Sequence, residues 1–383
     1  MQEPDTLVVG ATGFVGRWLT AELLARGRPV AATVRGGPTR DAELRAWLRE
    51  HGVDDRALTV VPADTTRTGL GLSEDDRLNP VRDVEDRLAS VRDVFNTAGT
   101  FRFGLSRQEA RRANVDGALN VLRWAGARPH LRRLVHVSGY RVAETLTHPA
   151  SEDRLAGLYR RYGAYEASKR EGDAAVRAIA EKEGIPLTTV NPATVIGHSV
   201  TGEAGQYLGL ADLVRQLWAG RLPALPGTRR TFVPVVTVDH LARFLAAVPE
   251  HDRGPYHAHW VLDDATPELP ELVALLARHL GVRAPRLLLP VGLVRRLPRA
   301  LTGADPETLT FLSEERYDTS SADAVGLRHP PVADALRRWA DRLVADRFGQ
   351  DARPAGSTRS PGSGPTSLTT ACRPGRCRFG RLT

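Results

Sequence analysis

The stretch VVGATGFVG (residues 8–16) sets the expected fold of this 383-residue chain. It places Gly10, Gly13 and Gly16 at intervals of three, after an apolar run and before an amphipathic one. In a strand–turn–helix unit the first glycine permits a tight turn, the second lets backbone N–H groups approach a pyrophosphate, and the third lets the helix pack closely on the strand. The amino terminus of the helix adds partial positive charge beside the phosphates. The stretch therefore predicts a dinucleotide site, although a glycine turn needed only for packing would show the same letters.

Short apolar runs alternate with longer amphipathic runs over the first 200 residues. The apolar runs that we predict as buried strands are 6–10, 29–34, 57–61, 93–96, 133–138 and 186–191. The amphipathic runs that we predict as helices are 14–26, 41–51, 107–127 and 152–183. Strands that alternate with helices in this way favour a parallel, doubly wound α/β sheet with helices on both faces, the Rossmann architecture.

The pattern becomes less regular in the second half, where Pro-rich loops separate four helical runs. These runs are 207–219, 238–248, 267–280 and 331–347. We therefore divide the chain into a nucleotide-binding domain (1–197), a smaller C-terminal substrate-binding lobe over the carboxyl edge of the sheet (198–349) and a tail (350–383). Residues 231–248 are expected to pack back against the first domain. The tail is rich in Pro, Gly, Ser and Arg and poor in apolar residues, which predicts disorder.

The chain is basic, with a formal charge of +8 and an isoelectric point near 10.0. Residues 351–383 hold six arginines and one acid, and elsewhere the arginines are mixed with Asp and Glu along predicted helices. Such mixing is typical of solvated helix faces, so we do not expect a nucleic-acid partner. Both cysteines, Cys372 and Cys377, lie in the tail, and no metal or disulfide role is expected for them.

The amino terminus and the most apolar run bear on location. Residues 1–5 lead directly into an apolar strand, without the charged and apolar regions of a signal peptide. The most apolar run, LLLPVGLV (287–294), is too short to cross a bilayer. We expect a cytoplasmic protein without a membrane span. Whether it forms a homodimer, paired through long helices of the first domain, stays open.

The end of the second predicted strand bears on the type of dinucleotide. An acid commonly follows this strand in NAD sites and binds the ribose 2′-hydroxyl, whereas here the strand ends in ATVRGG, which places Arg35 there. A guanidinium suits a 2′-phosphate, so NADP(H) is favoured over NAD(H). Arg45, one helix further on, is a weaker candidate for the same phosphate. The alternative is that Arg35 is only a solvated arginine in an arginine-rich chain.

The stretch YEASK (165–169) carries the expected catalytic pair. Lys169 is one of only two lysines among 53 Lys and Arg residues, and the other is Lys182. Tyr165 and Lys169 lie four apart in a helical run and therefore share a face. We expect the ammonium to lower the pKa of the phenol, so that Tyr165 exchanges a proton near neutral pH. Ser138 ends a predicted strand and is expected to hold a substrate carbonyl at the ligand edge of the sheet.

Together these motifs resemble the extended short-chain dehydrogenase/reductase superfamily, of the NAD(P)-dependent epimerase/dehydratase type, over roughly residues 5–250. The motifs, in the family's order, are GATGFVG (10–16), NTAG (96–99), NVDGALNVL (114–122), HVSGY (136–140), YEASK (165–169) and NPATVIG (191–197). Two further stretches, ADTTRTGLGLSEDD (63–76) and PATVIGHSVTGE (192–203), resemble the thioester-reductase-like branch. The resemblance implies a Rossmann fold and an NAD(P)-dependent oxidoreductase.

The resemblance also implies roles by position. Tyr165 would be the general acid, Lys169 would bind the nicotinamide ribose, and Ser138 would orient the substrate. The residues expected from the glycine turn and the resemblance to contact the cofactor are Gly10, Thr12, Gly13, Phe14, Val15, Gly16, Arg35, Arg45, Asp64, Thr65, Ala98, Gly99, Tyr165, Lys169, Pro192 and Val195. Among them, Asp64 would lie near the adenine. Ala63 and Thr65 replace the glycine and leucine usual around this aspartate, which weakens the expected adenine contacts.

The leading hypothesis is an NADPH-dependent reductase that transfers a hydride to the carbonyl of an acyl thioester, aldehyde or ketone, with tyrosine as general acid. Its substrate would be a small molecule or an acyl group bound to coenzyme A or to a carrier. The alternatives are an enzyme of the nucleotide-sugar epimerase or dehydratase type and a non-catalytic NADP-binding sensor. Gly139 and Tyr140 follow Ser138 where dehydratases place Asp-Glu, which counts against dehydration. The histidines show no metal-ligand spacing, so no metal is expected.

Overall fold

The strands predicted from the sequence all form in the structure, a computed structural model that describes residues 3–72, 87–100, 104–142, 146, 149–296 and 308–350. The strands in these ranges are β1 (Thr6–Val9), β2 (Val30–Val34), β3 (Leu58–Pro62), β4 (Asp93–Asn96), β5 (Arg133–Val137), β6 (Leu187–Pro192), β7 (Thr194–Ile196), β8 (Ala224–Pro226), β9 (Val235–Thr237), β10 (Tyr256–Val261) and β11 (Leu287–Leu289). The first six begin and end within one residue of the predicted runs. The tail predicted to be disordered, with both cysteines, lies outside the described residues.

Seven of these strands form one parallel sheet. Their order is β10-β6-β5-β4-β1-β2-β3. The chain runs from β1 outward to β3 and then crosses to β4 on the other side of β1, so the winding reverses between β1 and β4. Ligands of doubly wound sheets bind outside the carboxyl ends of the strands at such a switch point. The glycine turn follows β1 and therefore lies at this point.

Apolar side chains on both faces of the sheet explain why the strands read as continuous apolar runs. All residues of β1 and β2 are buried. Val8 belongs to one core cluster, whereas Leu7 and Val9 belong to a second one. Successive side chains of a strand point to opposite faces, so β1 contributes to the helix layers on both sides.

Eleven α-helices lie within the described ranges. They are α1 (Phe14–Ala25), α2 (Pro38–Glu50), α3 (Arg107–Arg111), α4 (Gly117–Gly126), α5 (Glu152–Glu183), α6 (Leu210–Trp218), α7 (Val238–His251), α8 (Leu269–Leu280), α9 (Val291–Val294), α10 (Ser320–Asp323) and α11 (Val332–Ala345). No helix in the described part of the chain is long and apolar enough to cross a membrane.

Two of the predicted helices are irregular. A π-helical turn over Arg112–Asp116 joins α3 to α4, so the run predicted as a single helix, 107–127, changes its hydrogen-bond pattern in the middle. Gly163 interrupts α5 with a φ of +81°, two residues before Tyr165. π-Turns and glycine breaks of this kind often mark functional regions, because they turn side chains out of the regular helical register.

The main sheet extends beyond the predicted boundary at residue 197. α7 begins within the run 231–248 that is expected to pack against the first domain, and it packs on α1; β10 pairs with β6, so residues 238–261 complete the layers around the main sheet. The sequence YHAHWV of β10 contains two histidines and therefore lacks the apolar run that identified the other strands. The division into a first domain and a substrate-binding lobe otherwise stays a prediction.

A third core cluster holds the second half of the chain together. It joins α6, α8 and α11 to β7 and β9 and includes Ile196, Leu217, Leu269, Leu276 and Trp339, all almost fully buried. This core is separate from the two that cover the main sheet. This separate core holds the helices of the second half in place, so that their other side chains can line the carboxyl edge of the sheet.

Candidate active site

The glycine turn is held in a conformation that side chains would prevent. Gly10 has a φ of +85°, and a Cβ there would lie 2.8 Å from the backbone N of Ala98. A Cβ on Gly16 would lie 2.1 Å from the carbonyl oxygen of Gly10. Gly13 N–H donates to the same oxygen at 2.9 Å. Gly10 is thus required by its positive φ and its close backbone approach, and Gly16 by its close backbone approach.

The amino terminus of α1 faces the site without a side-chain cap. Gly13 is the N-cap residue, and no side chain accepts a hydrogen bond from the first turn. The first N–H groups of a helix lack intrahelical partners, and they carry the positive end of the helix dipole. Gly13, Phe14 and Val15 all line the main cavity. These N–H groups fit the pyrophosphate of a dinucleotide.

The cavity at this edge of the sheet has a volume of about 870 Å³. It connects the glycine turn with the ends of β4, β5 and β6 and continues among side chains of the second half. The predicted site residues that line it are Gly13, Phe14, Val15, Gly99, Ser138, Tyr165, Lys169, Pro192 and Val195. The predicted cofactor residues that do not line it are Gly10, Thr12, Gly16, Arg35, Arg45, Asp64, Thr65 and Ala98. The cavity therefore brings the catalytic candidates and the amino terminus of α1 together.

Ser138 presents a buried hydroxyl to this cavity. Its backbone N–H donates to Val190 O at 2.8 Å, which fixes the residue directly after β5. The side chain is almost fully buried, and its Oγ has no hydrogen-bond partner among the described residues. An unsatisfied buried hydroxyl is costly, so a cavity ligand with a hydrogen-bonding oxygen is its natural partner.

Lys169 places a buried ammonium near the ends of β4 and β5. Its Nζ donates to Val137 O at 3.5 Å, and a Cβ on Gly99 would lie 3.2 Å from Nζ. Burial lowers the pKa of Lys169 to about 8, although Asp173 acts in the opposite direction. Burial and the nearby Lys169 charge lower the pKa of His136 to about 3, so this imidazole is neutral. Lys169 thus lies at the ligand edge of the sheet, and its ammonium group loses a proton more readily than that of an ordinary lysine.

Tyr165 differs from the expectation in its acidity. Burial raises the pKa of the phenol above its usual value, and the charge of Glu166 and the phenol of Tyr140 raise it further. The expected lowering by Lys169 is therefore wrong for the protein by itself, because desolvation of the phenolate is the largest effect. The raised pKa keeps Tyr165 protonated across the neutral range, which is the state that a proton donor requires.

Glu166 connects the helix that carries Tyr165 to a distant segment. Its carboxylate accepts hydrogen bonds from Arg170 Nη2 at 2.5 Å and from Thr310 Oγ1 at 2.7 Å. Phe311 follows Thr310 and lines the cavity, with its ring centroid 6.5 Å from that of Tyr165. Glu166 lies within YEASK but is not among the site residues predicted from the sequence. Nothing in the sequence signals its partner 144 residues away.

Asn114 fixes the helix of the catalytic candidates to the end of β4. Its Oδ1 accepts from the Thr100 N–H at 3.1 Å, and its Nδ2 donates to Ser168 Oγ at 2.9 Å. Ser168 Oγ in turn donates to the carbonyl oxygen of Tyr165 at 2.9 Å. Asn114 lies in the π-helical turn and is the first residue of the motif NVDGALNVL, but it is not among the site residues predicted from the sequence. This motif is the sequence feature that could have indicated a role for Asn114.

Arg35 and Asp64 lie near each other at the ends of β2 and β3. Partial burial acts to raise the pKa of Asp64, but hydrogen bonds from Thr66 and the charges of Arg35 and Arg112 outweigh it, so this pKa lies below its usual value. Arg35 is exposed, and it makes no hydrogen bond or ion pair within the part of the chain that the structure describes. Its guanidinium is available to an anion beside the glycine turn.

Arg45 is engaged elsewhere. Its guanidinium donates to Asp41 at 2.8 Å, to the carboxylate of Asp55 at 3.2 Å and to Leu58 O at 3.0 Å. These contacts tie α2 to the start of β3. These contacts count against the prediction that Arg45 binds a 2′-phosphate, because each nitrogen of its guanidinium already donates to a protein oxygen.

Two of the buried histidines have side-chain partners within the fold. Asn96 Nδ2 donates to His136 Nδ1 at 3.1 Å, and His259 Nε2 lies 3.1 Å from both carboxylate oxygens of Asp252. Across the described ranges, no group of His, Cys, Asp and Glu side chains is arranged to hold a metal ion.

A dinucleotide turn at a sheet switch point, opening on the same cavity as a serine, a tyrosine and a lysine, is shared by NAD(P)-dependent oxidoreductases of the extended short-chain dehydrogenase/reductase type. Comparison with known families agrees with this class. The chain belongs to the Male sterility protein family of NAD-binding domains, which it matches over residues 8–245. The predicted fold, superfamily and enzyme class are thereby confirmed.

Known relatives and structures extend the comparison over most of the chain. Tetraketide alpha-pyrone reductase 1 of Arabidopsis thaliana is 27% identical over 357 residues, which cover 89% of this chain and 95% of the relative. The terminal R domain of the myxalamid PKS-NRPS biosynthetic pathway has the same fold, with a TM-score of 0.69 at 19% identity, covering 91% of this chain and 92% of that one. A thiolation-reductase di-domain from an archaeal non-ribosomal peptide synthetase gives a TM-score of 0.65 at 16% identity, covering 91% of this chain and 77% of the di-domain.

Proposed function

We propose that the protein is an NADPH-dependent reductase that delivers a hydride to a carbonyl carbon while Tyr165 protonates the carbonyl oxygen. The observation that carries the proposal is the single cavity that contains the amino terminus of α1, Ser138, Tyr165 and Lys169. The glycine cradle, which a Cβ would fill, and the uncapped N–H groups fit a dinucleotide. When bound there, the reduced nicotinamide would supply the hydride.

Each residue of the cavity has a defined task in this proposal. Ser138 Oγ–H donates to the substrate carbonyl oxygen and holds the carbon within reach of the hydride donor. Tyr165 gives its proton to the same oxygen as negative charge develops, which avoids a free alkoxide. Lys169 binds ribose hydroxyls and places a positive charge near the phenol as it loses its proton. With a thioester, the protonated product is a hemithioacetal, which separates into aldehyde and thiol.

The inner part of the cavity supports an apolar acyl or carbonyl substrate. The lining from the second half of the chain is mostly aliphatic, for example Leu213, Leu222, Leu289 and Leu309. The relative from Arabidopsis thaliana is named as a reductase, and two structural neighbours are a terminal R domain of a PKS-NRPS pathway and a thiolation-reductase di-domain of a non-ribosomal peptide synthetase. We infer that a thioester, presented by a carrier or by coenzyme A, is one of the substrate forms.

Turnover tests the proposal directly. Oxidation of NADPH is followed by absorbance with a panel of aldehydes, ketones and acyl thioesters. Replacing Tyr165 with Phe is expected to lower kcat by about 100-fold or more, because general acid catalysis contributes at least that much. Tyr162→Phe is the matched control, since Tyr162 lies on the same helix and its ring contacts Arg170. Full turnover by Tyr165→Phe, or no NADPH oxidation with any substrate, would reject the proposal.

The preference for NADPH depends on Arg35. Its guanidinium makes no hydrogen bond or ion pair in the described ranges and lies near Asp64, at the edge where the adenosine ribose would bind. Losing a charge-assisted hydrogen bond to phosphate corresponds to about tenfold or more in affinity. Arg35→Ser is therefore expected to raise KM for NADPH about tenfold and to leave KM for NADH nearly unchanged. Arg49→Ser, on exposed α2, serves as the control. Equal binding of both coenzymes by the natural chain would contradict this preference.

A further inference from the structure

A basic and apolar surface lies beside the cavity in the second half of the chain. The segment 281–296 (GVRAPRLLLPVGLVRR) contains four arginines and no acid. These arginines are exposed, as is Arg221, which lies three residues before the neighbouring strand β8. We call the set the basic rim, and it consists of Arg221, Arg283, Arg286, Arg295 and Arg296 with the exposed Leu287 and Leu293.

The strand register brings part of this rim together. β8 and β11 are parallel, and Leu287 pairs with Ala224. Arg221 precedes β8 by three residues, and Arg283 precedes β11 by four, so both lie at the same end of this two-stranded sheet. Arg286 is adjacent to the first residue of β11. Three arginines therefore lie at one end of this two-stranded sheet.

None of the five arginines has a side-chain partner in the part of the chain that the structure describes. Within the described ranges their side chains make no hydrogen bond, ion pair or ring contact. Most arginines elsewhere in the fold are paired, for example Arg28 with Asp93 and Arg132 with the same acid. Like charges concentrated without acids repel one another, so the rim favours an incoming acidic surface.

The rim is continuous with the cavity wall. Leu287 is 56% exposed, and Leu289, two residues further on the same face of β11, lines the cavity. Leu293 is 48% exposed, and its neighbour Val294 is buried in the cavity wall. The apolar surface therefore runs from outside the protein into the site, so a ligand bound on the rim is close to the substrate space.

We propose that the basic rim docks an acidic carrier protein that presents its acyl thioester to the cavity, an inference that rests on the proposed reductase function with a thioester substrate. Exposed leucines between unpaired arginines suit a protein surface, where apolar anchors are surrounded by charge complementarity. A free coenzyme A thioester would offer phosphates to the arginines but nothing that needs both leucines. The occupant to which the observations point is therefore a protein.

Reduction of the same acyl group attached to three different thiols distinguishes protein docking from phosphate binding. Octanoyl is attached to an acidic acyl carrier protein, to coenzyme A and to N-acetylcysteamine, and kcat/KM is measured for each with NADPH. The double charge reversal Arg283→Glu with Arg286→Glu is expected to lower kcat/KM for the carrier substrate by about tenfold or more, mainly through KM. Values for coenzyme A and N-acetylcysteamine should stay within about twofold. Added salt should weaken the carrier reaction of the unmodified chain and have less effect on the variant.

Two further variants complete the design. Leu287→Ser with Leu293→Ser should give the same selective loss without changing charge. Arg49→Glu with Arg56→Glu reverses two exposed charges on α2 and the loop after it and should change nothing. An equal loss of kcat/KM with the coenzyme A substrate would contradict protein docking and favour phosphate binding. An unchanged kcat/KM with the carrier substrate would show that the basic rim binds neither. If no thioester is reduced, direct binding of the carrier to the unmodified chain and to the variant tests docking separately from catalysis.

Discussion

At the scale of single residues, burial controls the chemistry of the candidate site. The phenol of Tyr165 is made less acidic, and the ammonium of Lys169 is made more acidic, because each charged form loses hydration in the cavity wall. Ser138 adds a hydroxyl without a described partner. A proton donor that stays protonated and a cation with a pKa of about 8, both lining one cavity, are suited to reduction in the neutral range.

The pKa of Lys169, about 8, predicts the pH dependence of turnover. Lys169 is charged below this pKa, so its charge is present at neutral pH and is lost as the pH rises through about 8. We expect kcat/KM for carbonyl reduction to fall by about tenfold or more between pH 7 and pH 10. The raised pKa of Tyr165 keeps the phenol protonated over most of this range, so the decline belongs to the lysine.

Two arginine substitutions check the assignment. Lys169→Arg stays charged throughout, so its lower activity should show no decline near pH 8. Lys182→Arg, at the only other lysine, should keep the profile of the unmodified chain. A flat profile for the unmodified chain, or an identical decline in Lys169→Arg, would assign the titration to another group.

At the scale of elements, three helices place the site. The amino terminus of α1 provides N–H groups, the π-helical turn after α3 directs Asn114 toward α5, and the break at Gly163 begins the part of α5 that carries Tyr165. Asn114 and Ser168 join two of these elements by side-chain hydrogen bonds. The position of the phenol is therefore set by contacts between helices as well as by the spacing within YEASK.

The close approach of α1 to β1 predicts the effect of Gly16→Ala. The added Cβ would lie 2.1 Å from a backbone oxygen, which cannot move aside as a flexible side chain could. Such overpacking destabilises by about 1–3 kcal/mol, and the melting temperature is expected to fall by several degrees. The stabilisation that NADPH gives in a thermal shift assay should also be lost.

Gly157→Ala is the matched control for this substitution. Gly157 lies in α5, and the nearest atom to an added Cβ is the far end of Arg160, at 3.9 Å. Alanine there should leave the melting temperature unchanged or raise it slightly, since alanine favours helices. If Gly16→Ala has the same melting temperature as the unmodified chain and is stabilised equally by NADPH, the close packing does not matter for the fold or the site.

At the scale of the whole molecule, the cavity depends on both halves of the chain. The sheet edge contributes the glycine turn and the catalytic candidates, and the second half contributes most of the apolar wall. The hydrogen bond from Thr310 to Glu166 joins the two next to Tyr165. Glu166 also pairs with Arg170 in a buried contact, so this charged group is satisfied from both directions. The substrate space is thus bounded by segments that are far apart in sequence.

The sequence determined the alternating strands and helices, the glycine turn and the placement of Tyr165 and Lys169 four residues apart on one helix. These features arise from local periodicity and spacing, which the letters display directly. Only the tertiary structure decided the place of β10, the engagement of Arg45, the raised pKa of Tyr165 and the contact of Glu166 with Thr310. Each of these depends on burial or on a partner distant along the chain, and neither desolvation nor long-range contact leaves a periodic signal in one sequence.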